Sequence, residues 1–266
     1  VSTSSFMQEI ADYSLLFAPL VLWTYRFDRD EAFLKRVYPY VKGAFEYFCG
    51  YENERGLLEN VTEKWNLVDW PENLRDGYDF PLTNPIGNGV HNVINAFWIG
   101  FLKAFDALSG IMGLPVTGKA AKTEKSYIEA FYNEETGLFC DSTAKNHSAI
   151  HSNVLPLYFG VKKNDRAFVK NAVKFIEEKR LTSMGVYMSY FALAALKKNG
   201  EEEKAVALAT DKNAWLNMIA EGGTATFEAW GKEQKWNTSL FHPWAVAPLI
   251  VFSKIDLQKT EKENII

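Results

Sequence analysis

Helix-period apolar segments follow one another along almost the whole of this chain, with no convincing run of the two-residue alternation that marks a half-buried strand. The clearest spans 91–112, where Ile94, Phe97, Trp98, Phe101, Leu102, Phe105 and Leu108 recur at three- and four-residue intervals and so share one face. Residues 31–51 repeat the pattern with Phe33, Leu34, Val37, Tyr38, Val41, Phe45 and Phe48. Residues 7–27 are apolar nearly all round, as a buried helix would be. Further helices are expected over 117–132, 149–159, 165–179, 184–198, 201–220 and 242–255. Pro19 should kink the first helix and Pro39 should bend or interrupt the second, because each removes a backbone donor. Gly200 suits a helix end, just before the acidic first turn Glu201, Glu202, Glu203 of the next. Nine helices in consecutive hairpins predict an all-α fold.

With 266 residues and 47% apolar content the chain can bury a sizeable core, and no linker divides it, so 1–266 is read as one domain. The net charge is −4 and the basic residues are scattered, which argues against nucleic acid and for a neutral or small substrate. No apolar run is long enough for a membrane span. Cys49 and Cys140 could pair but define no disulfide framework. His147 and His151 stand four apart and could reach one metal from a helix. No glutamate follows the first of them, so the zinc-protease pattern fails, and no metal or cofactor is expected. His91, at the head of its helix, reads as structural.

The irregular stretches carry the chemistry. Tyr51-Glu52-Asn53-Glu54-Arg55-Gly56-Leu57-Leu58 is echoed by Tyr132-Asn133-Glu134-Glu135-Thr136-Gly137-Leu138-Phe139, each after a helix, as a chain of repeated hairpins would show. The connection holding Trp65-Asn66-Leu67-Val68-Asp69-Trp70-Pro71 and running to Gly89 is too long to be idle and reads as a functional loop. Gly222-Gly223-Thr224-Ala225-Thr226-Phe227-Glu228-Ala229-Trp230 and Asn237 to Trp244 follow neither period. Glu228 between aromatic rings suits a sugar site, where rings stack on a pyranose and a carboxylate handles protons. A loop whose aromatics cap the core and whose glutamate is solvated fits those residues equally well.

The order Thr224-Ala225-Thr226-Phe227-Glu228-Ala229-Trp230, then Ser239-Leu240-Phe241-His242-Pro243-Trp244-Ala245-Val246-Ala247-Pro248, resembles the end of the catalytic domain of family 78 α-L-rhamnosidases. The resemblance extends in order over nearly the whole chain and implies an (α/α)6 barrel, a toroid of inner and outer helices. It implies an inverting hydrolase releasing terminal α-L-rhamnose from glycosides or polysaccharides, with Glu228 as general base and a second carboxyl roughly 6.5–9.5 Å away as acid. Its flanking aromatics should raise the proton affinity of Glu228. Asp69 and Trp70 match the family's Gly-Asp-Trp segment, so Asp69 would bind sugar hydroxyls and Trp70 would stack. Tyr13 takes a tryptophan's place, Trp230 would wall the pocket, and His242 would be a neutral ring at the start of the last helix. His151 would cap a helix or stand at the pocket rim, and Trp215 to Met218 would pack under the site. The family's acid motif, Asp-Gly-x-x-x-Glu-Arg, does not occur, since Asp76-Gly77 has its first two letters only and in the wrong order. The resemblance therefore implies a domain lacking its first helices, incomplete at the N-terminus. Alternatives are another (α/α)6 glycosidase of the glucosidase or trehalase kind, or a catalytically silent carbohydrate-binding module.

Overall fold

A computed structural model describes residues 9–78 and 88–253. The expected beginning of the first helix at Met7 and end of the last at Ile255 lie outside them. The first helix, α1 (Ala11–Asp28), runs through Pro19 without a break and ends on Arg29 in the left-handed region, φ 58°, its N–H on the Tyr25 carbonyl. The second, α2 (Glu31–Cys49), runs through Pro39 and is capped by the Asp30 carboxylate, which accepts from the Phe33 N–H at 2.8 Å. Of the bend or interruption expected at Pro39, the interruption is absent, because one missing donor inside a helix of this length is outweighed by the remaining bonds and the buried face.

Then follow α3 (Asn92–Ile111), α4 (Lys119–Phe131), α5 (His151–Tyr158), α6 (Arg166–Lys179) and α7 (Val186–Lys198). Gly200 lies just beyond α7 at φ +80° and ends it as expected. The single helix expected over 201–220 is two, α8 (Glu202–Ala209) and α9 (Trp215–Ala220). Between them Asp211 accepts from the Asn213 N–H and pairs with Arg180, side-chain bonds that compete with the helix ladder. The last, α10 (Ala247–Phe252), begins later than expected, after a tight turn over Pro243–Ala245.

The helices form two courses. Each of α1, α3, α5, α7 and α10 packs on the next to make an inner row, while α2, α4, α6 and α8 lie outside against α1, α3, α5 and α7. The inner row is the core: residues 92–102 of α3 are all buried. A Cβ at Gly100 would come within 2.2 Å of the Phe159 ring, so a glycine is what lets α3 lie this close to the chain after α5. This is the hairpin-by-hairpin arrangement of a helical barrel, all-α as the sequence predicts.

The echo is structural. Both segments are short hairpins: Glu52 pairs with Leu58, while β1 (Tyr132–Asn133) pairs with β2 (Leu138–Phe139). In each, an asparagine carboxamide (Asn53, Asn133) accepts two backbone N–H bonds of its turn, and a glycine in the left-handed region follows it, Gly56 at φ +77° three residues after Asn53 and Gly137 at φ +67° four residues after Asn133. A second asparagine from the first turn of the next inner helix locks each hairpin. Asn95 of α3 bonds both the N–H and the carbonyl of Leu58, at 2.7 and 2.9 Å, and Asn153 of α5 bonds those of Phe139, at 2.9 and 3.2 Å.

Candidate active site

The loop from Trp65 to Tyr78 is pinned between helix starts. Ala11 donates to the Trp65 carbonyl at 2.8 Å where α1 begins. Asp12, the second residue of α1, accepts from the Val68 N–H at 3.0 Å. Deeper still, Asp69 is wholly buried: its Oδ1 accepts from the Trp70 N–H at 2.8 Å, and its Oδ2 accepts from the Gly185 N–H at 2.7 Å and meets His151 Nε2 at 2.7 Å. Gly185 has no room for a side chain, since a Cβ there would lie 2.3 Å from the Trp70 carbonyl and 2.4 Å from Asp69 Oδ1. This corrects the expectation that Asp69 offers its oxygens to sugar hydroxyls. They are spent on seating Trp70 and tying the loop to the starts of α5 and α7. His151 is likewise buried beneath the site and not on its rim, and it shares no partner with His147, which pairs with Asp141.

Above that floor a strip of aromatic rings runs from α1 to the last turns. Tyr13 stands edge-on to Tyr187 at 5.6 Å, Tyr187 stacks on Trp244 at 5.7 Å, and Trp244 lies 4.3 Å from the His242 ring. Glu228 joins the strip from the next segment, its carbonyl accepting from Trp244 Nε1 at 3.3 Å. Its carboxylate, largely buried, is held on both oxygens: Lys235 Nζ at 2.6 Å from Oε1 and the Ser239 N–H at 3.0 Å from Oε2. The same ammonium lies 5.3 Å above the Trp70 ring, which in turn meets Trp65 edge-on at 5.9 Å. Glu228, His242, Tyr13 and Trp70 are thus brought onto one surface.

Trp230 is not on it. It is buried, its indole N–H donates to the Met184 carbonyl at 2.7 Å, and its ring packs against Trp215. Its free edge borders a shallow depression between Asn217, Glu221 and Gln234 instead. Phe227 is buried too. The rings that lie on the strip with Glu228 are instead Tyr187 and Trp244. Trp215 and Met218 pack in the core beneath, as expected.

Charges follow burial and partners. Burial acts to raise the Glu228 pKa, but the Lys235 hydrogen bond and charge, the Ser239 N–H and His242 outweigh it, so the carboxyl is held below the usual glutamate range. The expectation of a raised proton affinity is thereby reversed, because the rings are accompanied by an ammonium that composition did not reveal. Burial lowers the His242 pKa, against the pull of Glu228. The cause is desolvation and not a helix terminus, for His242 precedes the tight turn, five residues before α10. Asp12 is pushed up to about 7 by burial, against the Val68 N–H and the Arg75 charge, with Asp69 adding to the rise. Burial likewise raises Asp69, and it pushes Tyr13 up to about 12.

Asp12, Tyr187 and Lys235 are the members that sequence reasoning missed. An aspartate in a helix's first turn reads as a solvated partner of the dipole, and Tyr187 and Lys235 look like ordinary members of a core face and a polar loop. Among the described residues no group of three or more His, Cys, Asp or Glu side chains could hold a metal ion, Cys49 and Cys140 are free, and no helix is long and apolar enough to cross a membrane.

Three solved structures share this architecture. A rhamnosidase from Klebsiella oxytoca with rhamnose bound superposes with TM-score 0.71 at 16% identity, over 92% of this chain and 46% of that one. A GH78 family rhamnosidase of Bacillus sp. GL1 gives 0.73 at 20% identity, over 90% and 26%. An α-L-rhamnosidase of Streptomyces avermitilis complexed with L-rhamnose gives 0.66 at 19% identity, over 85% and 21%. The chain thus spans less than half the length of each. No curated protein matches it. The sequence model of the bacterial α-L-rhamnosidase six-hairpin glycosidase domain matches residues 8–253, nearly the whole of the two-course helical array and every residue of the strip. On that match and that architecture, the chain belongs to the family of bacterial α-L-rhamnosidase six-hairpin glycosidase domains.

Proposed function

We propose that the chain forms the sugar-binding and base-bearing part of an inverting glycoside hydrolase that releases terminal α-L-rhamnose from glycosides or polysaccharides. The observation that carries this reading is the placement of Glu228: a largely buried carboxylate, bonded on both oxygens, beside a strip of four aromatic or imidazole rings and an indole across from it. Rings of this kind take the apolar face of a pyranose. In an inverting reaction the carboxylate draws a proton from a water, which attacks the anomeric carbon, while an acid on the far side of the ring protonates the departing oxygen. Glu228 is the base. Its lowered pKa keeps it ionised at neutral pH, so the base is always in its working form there. Trp70 and Tyr13 hold the sugar, with Asp69 setting the indole from below. His242, whose pKa is lowered by burial, lies against Trp244 beside Glu228, which supports its reading as a neutral sugar-binding ring.

The test is turnover of a chromogenic α-L-rhamnoside by the intact protein and its Glu228→Gln variant. Loss of a general base should lower kcat by about 10²- to 10⁴-fold with a much smaller change in KM. Because the Glu228 pKa is lowered, the acid limb of the wild-type pH profile should lie below the ordinary glutamate range. Turnover that survives the substitution would remove Glu228 from its role, and with it this reading.

A further inference from the structure

Lys235 is the cation nearest the reacting carboxylate. It lies in a short turn following the three-residue helix Lys232–Gln234, four positions before Ser239, the residue whose backbone holds the other carboxylate oxygen. Its side chain and that of Glu228 are 12% and 14% exposed, so this is no solvated surface pair of negligible worth. The ammonium has two partners from separate parts of the chain: Glu228 Oε1 at 2.6 Å and the ring of Trp70, 5.3 Å from its centroid.

We propose that Lys235 is the positioning residue for Glu228, one ammonium group fixing the carboxylate through Oε1 and the Trp70 indole through its face, so that the base and the ring that receives the sugar keep one spacing. The proposal rests on the reading of Glu228 as the base. Geometry carries it. A carboxylate tethered on Oε2 alone could rotate about its last side-chain bond, and the second tether on Oε1 removes that freedom while leaving each oxygen a lone pair for water. The cation over an aromatic face is held by the ring's quadrupole, more strongly where water is excluded. The charged and titratable groups around Glu228 are Lys235 and His242, with the Ser239 N–H as the neutral donor.

The test needs no turnover. Glutamate carboxyl carbons of the 266-residue chain are titrated by ¹³C NMR, with Glu228→Gln identifying the Glu228 signal, and the Trp70 indole N–H signal is followed in parallel. In Lys235→Met the Glu228 midpoint should rise by about one pH unit or more. Lys235→Arg, which keeps the charge, should stay near wild type. In wild type the Trp70 signal should follow the Glu228 titration through the shared ammonium, and in Lys235→Met it should cease to. A Glu228 midpoint unmoved by Lys235→Met, or a wild-type Trp70 signal indifferent to the titration, would overturn the inference. The underlying reading falls separately, if Glu228→Gln leaves rhamnoside turnover intact.

Discussion

Asp12 shows how one carboxyl can take a character that its neighbours in sequence do not suggest. It occupies the second position of a helix, where an aspartate ordinarily faces water, yet here it is wholly buried, with one oxygen on the Val68 N–H and the other without a protein partner. Its pKa of about 7 in the folded protein lies above the ordinary 3.8, so the native state binds its proton more tightly than the unfolded chain does. The stabilisation is therefore complete below about pH 4 and is lost as pH rises through about 7, amounting to on the order of 4 kcal/mol. Asp12→Asn keeps a neutral group there at every pH. Urea unfolding across this range should show wild type losing stability relative to Asp12→Asn as pH rises from 4 to 8, and parallel curves would refute it. Asp69 shifts in the same direction but is common to both proteins and cancels in the comparison. Glu228 was legible in the sequence as a carboxylate in an aromatic run, although Phe227 and Trp230 turn into the core. Its proton affinity was not, because that is set by Lys235, seven residues on, and by how completely Trp70 and Ser239 close around the pair.

Among the elements, the two asparagine-locked hairpins are the clearest repeated unit. Periodicity found the inner helices because their apolar faces are continuous, and the echo of Tyr51–Leu58 by Tyr132–Phe139 pointed to a repeat. Their lock was hidden, since Asn95 and Asn153 sit within apolar helix starts and only the folded chain shows each carboxamide closing a two-bond ring on a backbone residue. Removing either should leave a buried N–H and carbonyl unpaired. Asn95→Ala and Asn153→Ala are each expected to lower stability by about 2–3 kcal/mol, with similar values if the two hairpins are equivalent units. Denaturant unfolding of both single variants checks this; a loss below half a kilocalorie in either, on the order of a surface change, would show that the lock is redundant. The split of 201–220 and the late start of α10 went unseen for a different reason. Asp211 and Pro243 act through local bonds and backbone geometry, which leave the apolar period on either side intact.

On the scale of the molecule, the site exists because three inner helices begin at one place. Asp69 from the long loop, His151 at the head of α5 and Gly185 just before α7 meet in one buried cluster, and Asp12 at the head of α1 bonds the same loop. His151→Ala removes a partner from a carboxylate that no water reaches, and the expected loss is about 3 kcal/mol or more, measured by thermal or urea unfolding. A loss under about 1 kcal/mol would show that the loop holds its place without α5. The sequence by itself determined the all-α class, the order of hairpins and the family, because helix periods are local and the Thr-Ala-Thr-Phe-Glu-Ala-Trp segment survives as a contiguous string. Only the tertiary structure decided which rings face the strip and which the core, turning Trp230 inward to Met184 and bringing Tyr187 and Trp244 forward. It also decided that Asp69 is a buried tie and that an ammonium governs Glu228. The physical reason is that burial and charge pairing depend on distances that no local period encodes, whether between Glu228 and Lys235 in one irregular stretch or between Asp69 and Gly185 far apart in the chain, and these are fixed only when the helices pack.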